Sequence, residues 1–324
     1  LRRADVEKRV DRFVAALERR DPSYRRQAVD LYRALLVPVE SVLNRVPLVY
    51  IVPDGALWRL PFHALQASDG LPLAERVAVA YAPSLTTLAL SRRTRGRRLE
   101  GGRGTLLALA DPVIGSDTAK SARAVYREAT LGRLPEARAE ARSIAALYSG
   151  ARVAIGEAAA ERFVKSDGPA FRILHFATHA LVDDRLPMYS SIVLSGSKHE
   201  DGLLEAREIL DLHFDADLAV LSACETARGS ISGGEGAMGL SWAFQVAGVP
   251  TIVASQWKAE SKATTELMVR FHKGLVGGLS PAAALRDAQR AVRLDRRYRH
   301  PFYWAPFIVL GAGGDAVVPA GDSW

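Results

Sequence analysis

Short apolar segments that alternate with amphipathic ones are the feature that most constrains the fold of this chain. Beyond residue 104, the predicted strands are 106–110, 153–155, 172–177, 218–222, 251–255 and 307–310. Predicted helices stand between them, over 136–148, 158–164, 236–246, 261–275 and 280–293. Apolar strands bounded by helices indicate a mainly parallel sheet covered on both faces. The sequence therefore predicts an α/β fold, in which sites form beyond the carboxyl ends of the strands.

The first hundred residues do not follow this strand–helix alternation. Apolar residues recur at helical spacing over 5–20, namely Val6, Val10, Phe13, Val14 and Leu17, and a second helix follows the break at Asp21-Pro22. Strands are predicted at 48–52 and 77–81, and the Arg- and Gly-rich stretch 91–104 is predicted to be a mobile linker. We divide the chain into a helical lead-in (1–45), an N-terminal part (46–103) and a main part (104–324).

The charge of the chain is positive, with a formal net charge of +7, which would suit an anionic partner. The basic residues are dispersed, apart from a run at 92–98 that a solvated Arg-rich loop explains. A nucleic-acid partner is therefore not expected. No run approaches the ~18 apolar residues of a membrane span, so no membrane partner is expected either.

The number of cysteines indicates the redox state of the cellular compartment. The single cysteine, Cys224, cannot form an intramolecular disulfide and is typical of a reducing compartment, so a cytoplasmic location is expected. The chain begins at Leu1 without an initiator Met or a signal-peptide region. We therefore expect it to be a piece of a longer or processed protein.

Two predicted strands end next to chemically capable side chains. The strand 172–177 leads into His179, and the strand 218–222 leads into Cys224. Because parallel strands end at the same edge of a sheet, these two side chains are expected to lie together. A thiol with a pKa near 8.5 needs a base to be largely thiolate at neutral pH, and a histidine supplies one. A buried, inert cysteine is the competing interpretation, and the paired strand-end histidine weighs against it.

Several motifs carry a specific resemblance, and they are spread over about residues 30–312. They are Val52-Pro53-Asp54-Gly55, Leu60-Pro61-Phe62-His63-Ala64-Leu65, Ala82-Pro83-Ser84, Leu109-Ala110-Asp111-Pro112, His175-Phe176-Ala177-Thr178-His179-Ala180, Leu221-Ser222-Ala223-Cys224-Glu225-Thr226, Gly234-Glu235-Gly236 and Ser255-Gln256-Trp257. In these stretches the sequence resembles the CHAT domain, a branch of the caspase–separase group of proteases that often follows tetratricopeptide repeats.

The resemblance implies a caspase-like α/β sandwich, with residues 104–324 as its catalytic part. It implies that Cys224 is the nucleophile and that His179, rather than His175, is the base. It also assigns the oxyanion hole to the backbone N–H groups of Ala180 and Cys224. Many relatives have Gly where Ala180 stands, so a positive φ there would strain this backbone. The caspase string Q-A-C-[RQG]-G is absent, so caspase specificity is not expected.

Substrate-binding residues are less sharply indicated. Relatives often carry an acidic residue after the strand that corresponds to 251–255. Here that role falls to Glu260, Asp183 or Asp184, and an ordinary solvated loop explains each of them equally well. Trp257 is either a wall of the substrate pocket or a core residue. The resemblance places the loop that contains Glu235 beside the substrate cleft.

Cofactor interpretations of the same segments are weaker. The string Gly234-Glu235-Gly236-Ala237-Met238-Gly239 fits G-x-G-x-x-G, but it does not follow a strand directly, so a dinucleotide site is rejected in favour of close helix packing. His175 either orients His179 or is a satisfied core histidine. Zinc bound by His175, His179 and Cys224 lacks a fourth ligand. No cofactor or metal is expected.

Two functions from different classes follow from the sequence. The first is a cysteine endopeptidase acting on a protein substrate, and the second is a non-catalytic interaction module of the same fold. For the peptidase we expect regulation by an upstream repeat module or an activating partner protein. The Gly- and Ser-rich segment 225–236 is predicted to be the loop that sets the cleft, and the lead-in helices to be the docking place of that module.

Overall fold

The computed structural model describes residues 2–95, 104–125, 131–222, 224–227 and 235–317. Its strands are β1 (Leu48–Ile51), β2 (Ala78–Tyr81), β3 (Gly104–Pro112), β4 (Ala151–Gly156), β5 (Phe171–Ala177), β6 (His179–Leu181), β7 (Ser191–Val193), β8 (Leu203–Glu205), β9 (Leu218–Leu221), β10 (Cys224–Ala227), β11 (Thr251–Ser255) and β12 (Phe307–Gly311).

The helices alternate with these strands. They are α1 (Arg3–Glu18), α2 (Tyr24–Leu35), α3 (Glu40–Leu43), α4 (Leu85–Arg95), α5 (Ser116–Val125), α6 (Pro135–Ala145), α7 (Glu161–Asp167), α8 (Ala206–Leu210), α9 (Glu235–Val246), α10 (Ser261–Val276), α11 (Pro281–Leu294) and α12 (Pro301–Trp304). Short 3₁₀ turns occupy 37–39, 55–59, 62–64, 73–75, 168–170, 187–189 and 296–298.

Eight strands form the central sheet, in the order β1-β2-β12-β11-β9-β5-β3-β4. The neighbours from β11 to β4 are all parallel, and so are β1, β2 and β12 among themselves. The two blocks meet at the antiparallel pair β11–β12. The predicted α/β class with a mainly parallel, helix-flanked sheet is confirmed.

The sheet is covered on both faces, as its apolar strands require. Successive strand residues point to opposite faces. On β5, His175 contacts Glu140 of α6, whereas Phe176 packs against Phe244 of α9 with 5.6 Å between ring centroids. Helices α6 and α10 therefore lie on one face of the sheet, and α9 lies on the other.

A second, smaller sheet follows the order β10-β6-β7-β8. Its pair β10–β6 is parallel, and the pairs β6–β7 and β7–β8 are antiparallel. β6 begins one residue after β5 ends, and β10 begins shortly after β9 ends. The two central strands thus feed directly into this small sheet.

The lead-in helices belong to the same core as the sheet. Val10, Phe13, Val14 and Leu17 of α1 are buried, and Val6 packs against them. The stripe lies against α2 and the turn 55–59. The apolar face that we expected an upstream module to cover is therefore covered by this chain. Likewise, β1 and β2 extend the central sheet through β12, so segments 46–103 and 104–324 share one sheet.

Two local predictions are wrong in part. α4 continues to Arg95, so the predicted linker 91–104 begins too early, because Leu88 and Ser91 are buried on the inner side of that helix. Residues 96–103 lie outside the described part. Residues 225–227 of the predicted loop 225–236 belong to β10, because they continue the pairing with β6, and α9 already begins at Glu235. Residues 228–234 lie outside the described part.

Helix length and apolar character decide whether a segment can span a membrane. None of the helices in the described ranges combines the two to the degree needed to cross a bilayer.

Candidate active site

The small sheet brings the two predicted catalytic residues together through its backbone. In the parallel pair β10–β6, Cys224 is the register partner of His179. Neighbouring strands lie roughly 4.8 Å apart, so the two backbones are adjacent. The sequence predicted a common sheet edge for these residues, and the structure makes them direct partners. The Cys224 side chain lies outside what the structure describes.

The parent strands explain this register. β5 and β9 are parallel neighbours in the central sheet, with Phe176 paired to Leu221. Each chain segment leaves the sheet within a few residues of that pair and pairs again in the small sheet. The segment from Phe176 to His179 has the same number of residues as the segment from Leu221 to Cys224. The register of β5 on β9 is therefore kept between β6 and β10.

The His179 ring is buried and has a backbone partner. Its Nε2 lies 2.7 Å from the carbonyl oxygen of Gly132. A carbonyl only accepts hydrogen bonds, so Nε2 carries the proton and donates it. In the neutral ring, Nδ1 is then the nitrogen able to accept a proton. This contact selects the tautomer in which Nδ1 is unprotonated.

Asp111 holds the segment that carries this carbonyl. Its carboxylate accepts hydrogen bonds from Arg133 (2.7 and 2.9 Å), from Arg138 (2.7 and 3.0 Å) and from the backbone N–H of Leu134 (2.8 Å). The Arg133 guanidinium keeps the pKa of Asp111 far below its usual range. Asp111 has a φ of +44°, in the left-handed region that Asp tolerates better than most residues. Through Asp111, the Leu109-Ala110-Asp111-Pro112 motif thus holds the segment around Gly132, whose carbonyl orients the His179 ring.

The electrostatic surroundings of His179 favour its neutral form. Burial lowers the pKa of the imidazole below its ordinary value, and the nearby Lys258 lowers it further. The hydrogen bond to Gly132 and the charge of Asp111 act in the opposite direction. A neutral imidazole at neutral pH is the form that can remove a proton from a thiol.

His175 has a different environment from His179. It is fully buried, with Nε2 2.9 Å from Oε1 of Glu140 and Nδ1 3.2 Å from Nε2 of His272. Both ring nitrogens are therefore engaged by protein groups. This is the satisfied core histidine that the sequence left as one of two alternatives.

The predicted substrate-binding residues have structural partners. The Trp257 indole is buried and donates to the carbonyl of Phe302 (3.2 Å). Glu260 caps α10 by accepting from the N–H of Ala263 (2.8 Å). Asp183 accepts from the N–H groups of Arg185 and Leu186, and Asp184 lies half-buried beside it. The substrate roles proposed for these side chains stay predictions.

Two further predicted positions concern the backbone. Ala180 is buried in β6, and it is not among the described residues with positive φ, so the strain considered for it does not arise. Glu235 is the first residue of α9, and its side chain lies outside the description. Gly239 of the same helix packs so closely that an added Cβ would lie 2.8 Å from the Pro187 carbonyl oxygen. The glycine string thus includes a close helix contact, as expected.

One cluster of acidic side chains occurs away from this site in the described ranges. Glu161, Glu200 and Glu208 lie together, and the Lys165 ammonium stands 2.7 to 2.9 Å from an oxygen of each. The cluster already contains its cation, in the form of this ammonium group.

The sheet order, the helices on both faces and the His–Cys pair at adjacent strand exits define an α/β protein of the caspase-like class. The sequence matches the family model of the CHAT domain over residues 25–312. The chain therefore belongs to the CHAT domain family.

Two curated proteins are similar to most of this chain. Tetratricopeptide repeat protein 28 of Homo sapiens is 26% identical over 345 residues, covering 92% of this chain and 14% of that protein. The Mus musculus protein of the same name is 26% identical, covering 87% and 13%. The chain thus spans a small fraction of these curated relatives.

Some solved structures are similar to this chain at low sequence identity. A crystal structure of the Saccharomyces cerevisiae separase–securin complex matches with a TM-score of 0.50 and 12% identity, over 81% of this chain and 15% of that chain. The Arg-specific cysteine proteinase gingipain R matches with a TM-score of 0.46 and 10% identity, over 75% and 55%.

Several functional candidates escaped sequence reasoning. Gly132 contributes only a carbonyl, which has no side-chain signature. Asp111 had a usable signal, since it follows the apolar residues of a predicted strand and belongs to a quoted motif. Lys258 follows Trp257 without any pattern that distinguishes it from a solvated lysine.

Proposed function

We propose that this chain is a cysteine endopeptidase in which Cys224 is the nucleophile and His179 is the general base. The observation that carries the proposal is the register of β10 on β6, which pairs the backbones of these two residues. The Gly132 contact supports it, because it leaves Nδ1 of the neutral His179 ring without a proton.

The proposed reaction uses this pair twice. Nδ1 of His179 takes the thiol proton, and the thiolate attacks the peptide carbonyl carbon to form a tetrahedral intermediate. The imidazolium then protonates the departing amine, and an acyl-enzyme thioester remains. A water molecule, deprotonated by the same nitrogen, attacks the thioester and releases the acid. The oxyanion role of the Ala180 and Cys224 N–H groups stays a prediction of the family resemblance.

The competing function is a non-catalytic interaction module with the same fold. The relatives favour it to the extent that their name refers to tetratricopeptide repeats and not to proteolysis. The two functions differ in one respect that can be measured, which is whether peptide bonds are cleaved in a Cys224-dependent manner.

The decisive experiment maps new protein N-termini after a proteome is incubated with the chain. Cys224→Ala and His179→Ala should each abolish nearly all cleavage, and the double variant should be little worse, because the two groups act as a unit. His199→Ala is the matched control, since that histidine is exposed and outside the proposed dyad, and it should cleave normally. A thiol alkylator should abolish cleavage, and a chelator should not. Undiminished cleavage by Cys224→Ala would refute the peptidase.

Regulation by another protein module is part of the proposal. Relatives of this chain carry the repeat name, and stacked helical repeats present extended surfaces for protein partners. We expect peptide turnover by this chain alone to differ from turnover by the same chain joined to a repeat module with its partner bound. Equal rates in both forms would show that the activity is not regulated in this way.

A further inference from the structure

A buried carboxylate lies directly behind the candidate active site. Glu140 of α6 is 3% exposed. Its Oε1 accepts from the Ser222 hydroxyl (2.6 Å) and lies 2.9 Å from His175 Nε2, and its Oε2 accepts from the Thr265 hydroxyl (3.3 Å). Three donors from three different elements therefore converge on one side chain.

Two of these donors stand on the segments that lead to the proposed dyad. Ser222 follows the last residue of β9 and precedes Cys224 by two positions. His175 lies in β5, the strand that leads directly into His179. Oε1 of Glu140 is thus a single atom to which both segments are bound. Thr265 of α10 holds the other oxygen and fixes the plane of the carboxylate.

The orientation of His175 is set by a further chain of hydrogen bonds. Burial keeps the pKa of His272 well below its ordinary value, so that ring is neutral and has one N–H. The Tyr148 hydroxyl lies 2.8 Å from His272 Nδ1, and His272 Nε2 lies 3.2 Å from His175 Nδ1. Tyr148 donates to His272, His272 to His175, and His175 to Glu140, which satisfies every ring nitrogen.

Packing alone does not account for a carboxylate at this position. Burying a carboxylate costs free energy, and an apolar residue of similar volume often serves a core equally well or better. Within the described ranges, no Lys or Arg forms an ion pair with Glu140, whose one ionisable basic partner is the His175 ring. What the residue supplies is directional bonding to two particular strands, and fully satisfied buried networks specify one geometry.

We infer that Glu140 is a positioning residue, which binds the base-bearing and nucleophile-bearing segments to one another and so sets the reactivity of Cys224. The inference rests on the proposed function for the identity of the dyad. It assigns a role to His175 as well, which acts through Glu140 and not by touching His179.

The test uses the fact that Cys224 is the only cysteine of the chain, so thiol alkylation reports this residue alone. The second-order rate with iodoacetamide is measured from pH 5 to pH 9 on the folded protein, with near-UV circular dichroism to verify the fold. Glu140→Leu keeps the volume but removes the acceptor, and should slow alkylation at pH 7 by about tenfold or more, since small misplacements of reacting groups have effects up to ~10²-fold. The alkylation midpoint should move to higher pH.

A conservative variant distinguishes the hydrogen bonds of Glu140 from its charge. In Glu140→Gln, the new amide oxygen can still accept from Ser222 and His175, so this variant should remain close to the wild-type rate. Ser222→Ala removes one of the two strand contacts and should give an intermediate rate. It also keeps the test decisive if Glu140→Leu fails to fold.

The matched control is Gln289→Leu, because Gln289 is 3% exposed, lies on helix α11 and donates to the Phe307 carbonyl (2.9 Å), outside the small sheet. It should lower stability and leave alkylation unchanged. Wild-type alkylation in Glu140→Leu and Ser222→Ala, or an equal loss in Gln289→Leu, would overturn the inference. His179→Ala reports on the dyad separately: unaltered alkylation there would contradict the proposed base while the Glu140 comparison still stands.

Discussion

Two charged groups, Lys258 and Asp111, shift the pKa of His179 in opposite directions, and Lys258 can be replaced at the surface. Lys258 is exposed, has no ion pair within the described ranges, and lowers the pKa of His179. Asp111, on the other side, is already neutralised by two arginines. Lys258 is therefore the residue through which the pKa of His179 can be adjusted without disturbing buried structure.

Replacing Lys258 tests this directly. Lys258→Gln removes a positive charge, so the pKa of His179 should rise and its base form should be lost at higher pH. The acidic limb of the pH–rate profile should move upward, for peptide turnover or for Cys224 alkylation. Lys258→Arg, which keeps the charge, should retain the wild-type profile. In wild type, high salt should move the limb in the same direction as Lys258→Gln, because it screens exposed charges. A limb that stays fixed in Lys258→Gln would show that burial alone sets the pKa.

At the residue level, the sequence identifies the candidate catalytic side chains better than the residues that hydrogen-bond behind them. His179 and Cys224 can be identified because they follow apolar strands and fit a family pattern. Glu140 cannot be identified in this way, since one acid on an amphipathic helix looks like any solvated residue. Its partners Ser222, His175 and Thr265 are 35 to 125 residues away in the sequence. Contacts across such distances depend on the packing of helices on the sheet, which hydrophobic periodicity does not specify.

At the level of elements, the eight strands of the central sheet and most of the longer helices are predicted, whereas the helices α4 and α5 and the very short strands are missed. The predicted segments 251–255 and 307–310 correspond to β11 and β12. By contrast, β6, β7 and β8 have three residues each, too few to show a period of two. The small sheet is therefore absent from the prediction, although it is the element that pairs Cys224 with His179.

The hairpin β7–β8 supports that pair and depends on one glycine. Gly202 has a φ of +85°, and a Cβ there would lie 2.7 Å from the Leu194 carbonyl oxygen. Gly202→Ala should therefore lower the free energy of unfolding by more than the roughly 1–2 kcal/mol that a left-handed alanine costs, and should slow Cys224 alkylation. Gly70→Ala is the control, because Gly70 has a φ of +75° but no neighbouring atoms within 4 Å. Urea unfolding and alkylation are measured on both. Equal effects would show that the contact with Leu194 does not constrain the small sheet.

At the scale of the whole molecule, the N-terminal segments share one hydrophobic core with the main part, residues 104–324. The turn 62–64 reaches the C-terminal end of the fold, where His63 Nε2 donates to the carbonyl of Ala305 (3.1 Å) and the ring lies edge-on to Trp304. The motif Leu60-Pro61-Phe62-His63-Ala64-Leu65 supported the family resemblance without revealing this connection. One hydrophobic core includes residues from all three predicted parts. The divisions at 45 and 103 therefore mark changes in the sequence pattern and not separate cores.

His63 makes this connection sensitive to acid. Burial lowers its pKa from 6.5 to about 4. As the pH falls below 6.5, the unfolded chain binds a proton at this histidine and the folded chain does not, so stability is lost until the pH reaches the folded pKa near 4. The loss attributable to His63 should approach about 1.4 kcal/mol for each pH unit within this window.

The measurement compares wild type with His63→Gln, whose amide can donate to Ala305 but does not titrate. Urea unfolding at pH 7, 6 and 5 gives the free energy of unfolding for each protein. The variant should be less stable than wild type at pH 7, because its packing is imperfect, and should lose less stability on acidification. Other buried histidines, such as His272, shift in the same direction and contribute equally to both proteins, so they cancel in the difference. Parallel pH dependences in the two proteins would mean that His63 is protonated in the folded state and that the N-terminal turn is not closed against Ala305 in solution.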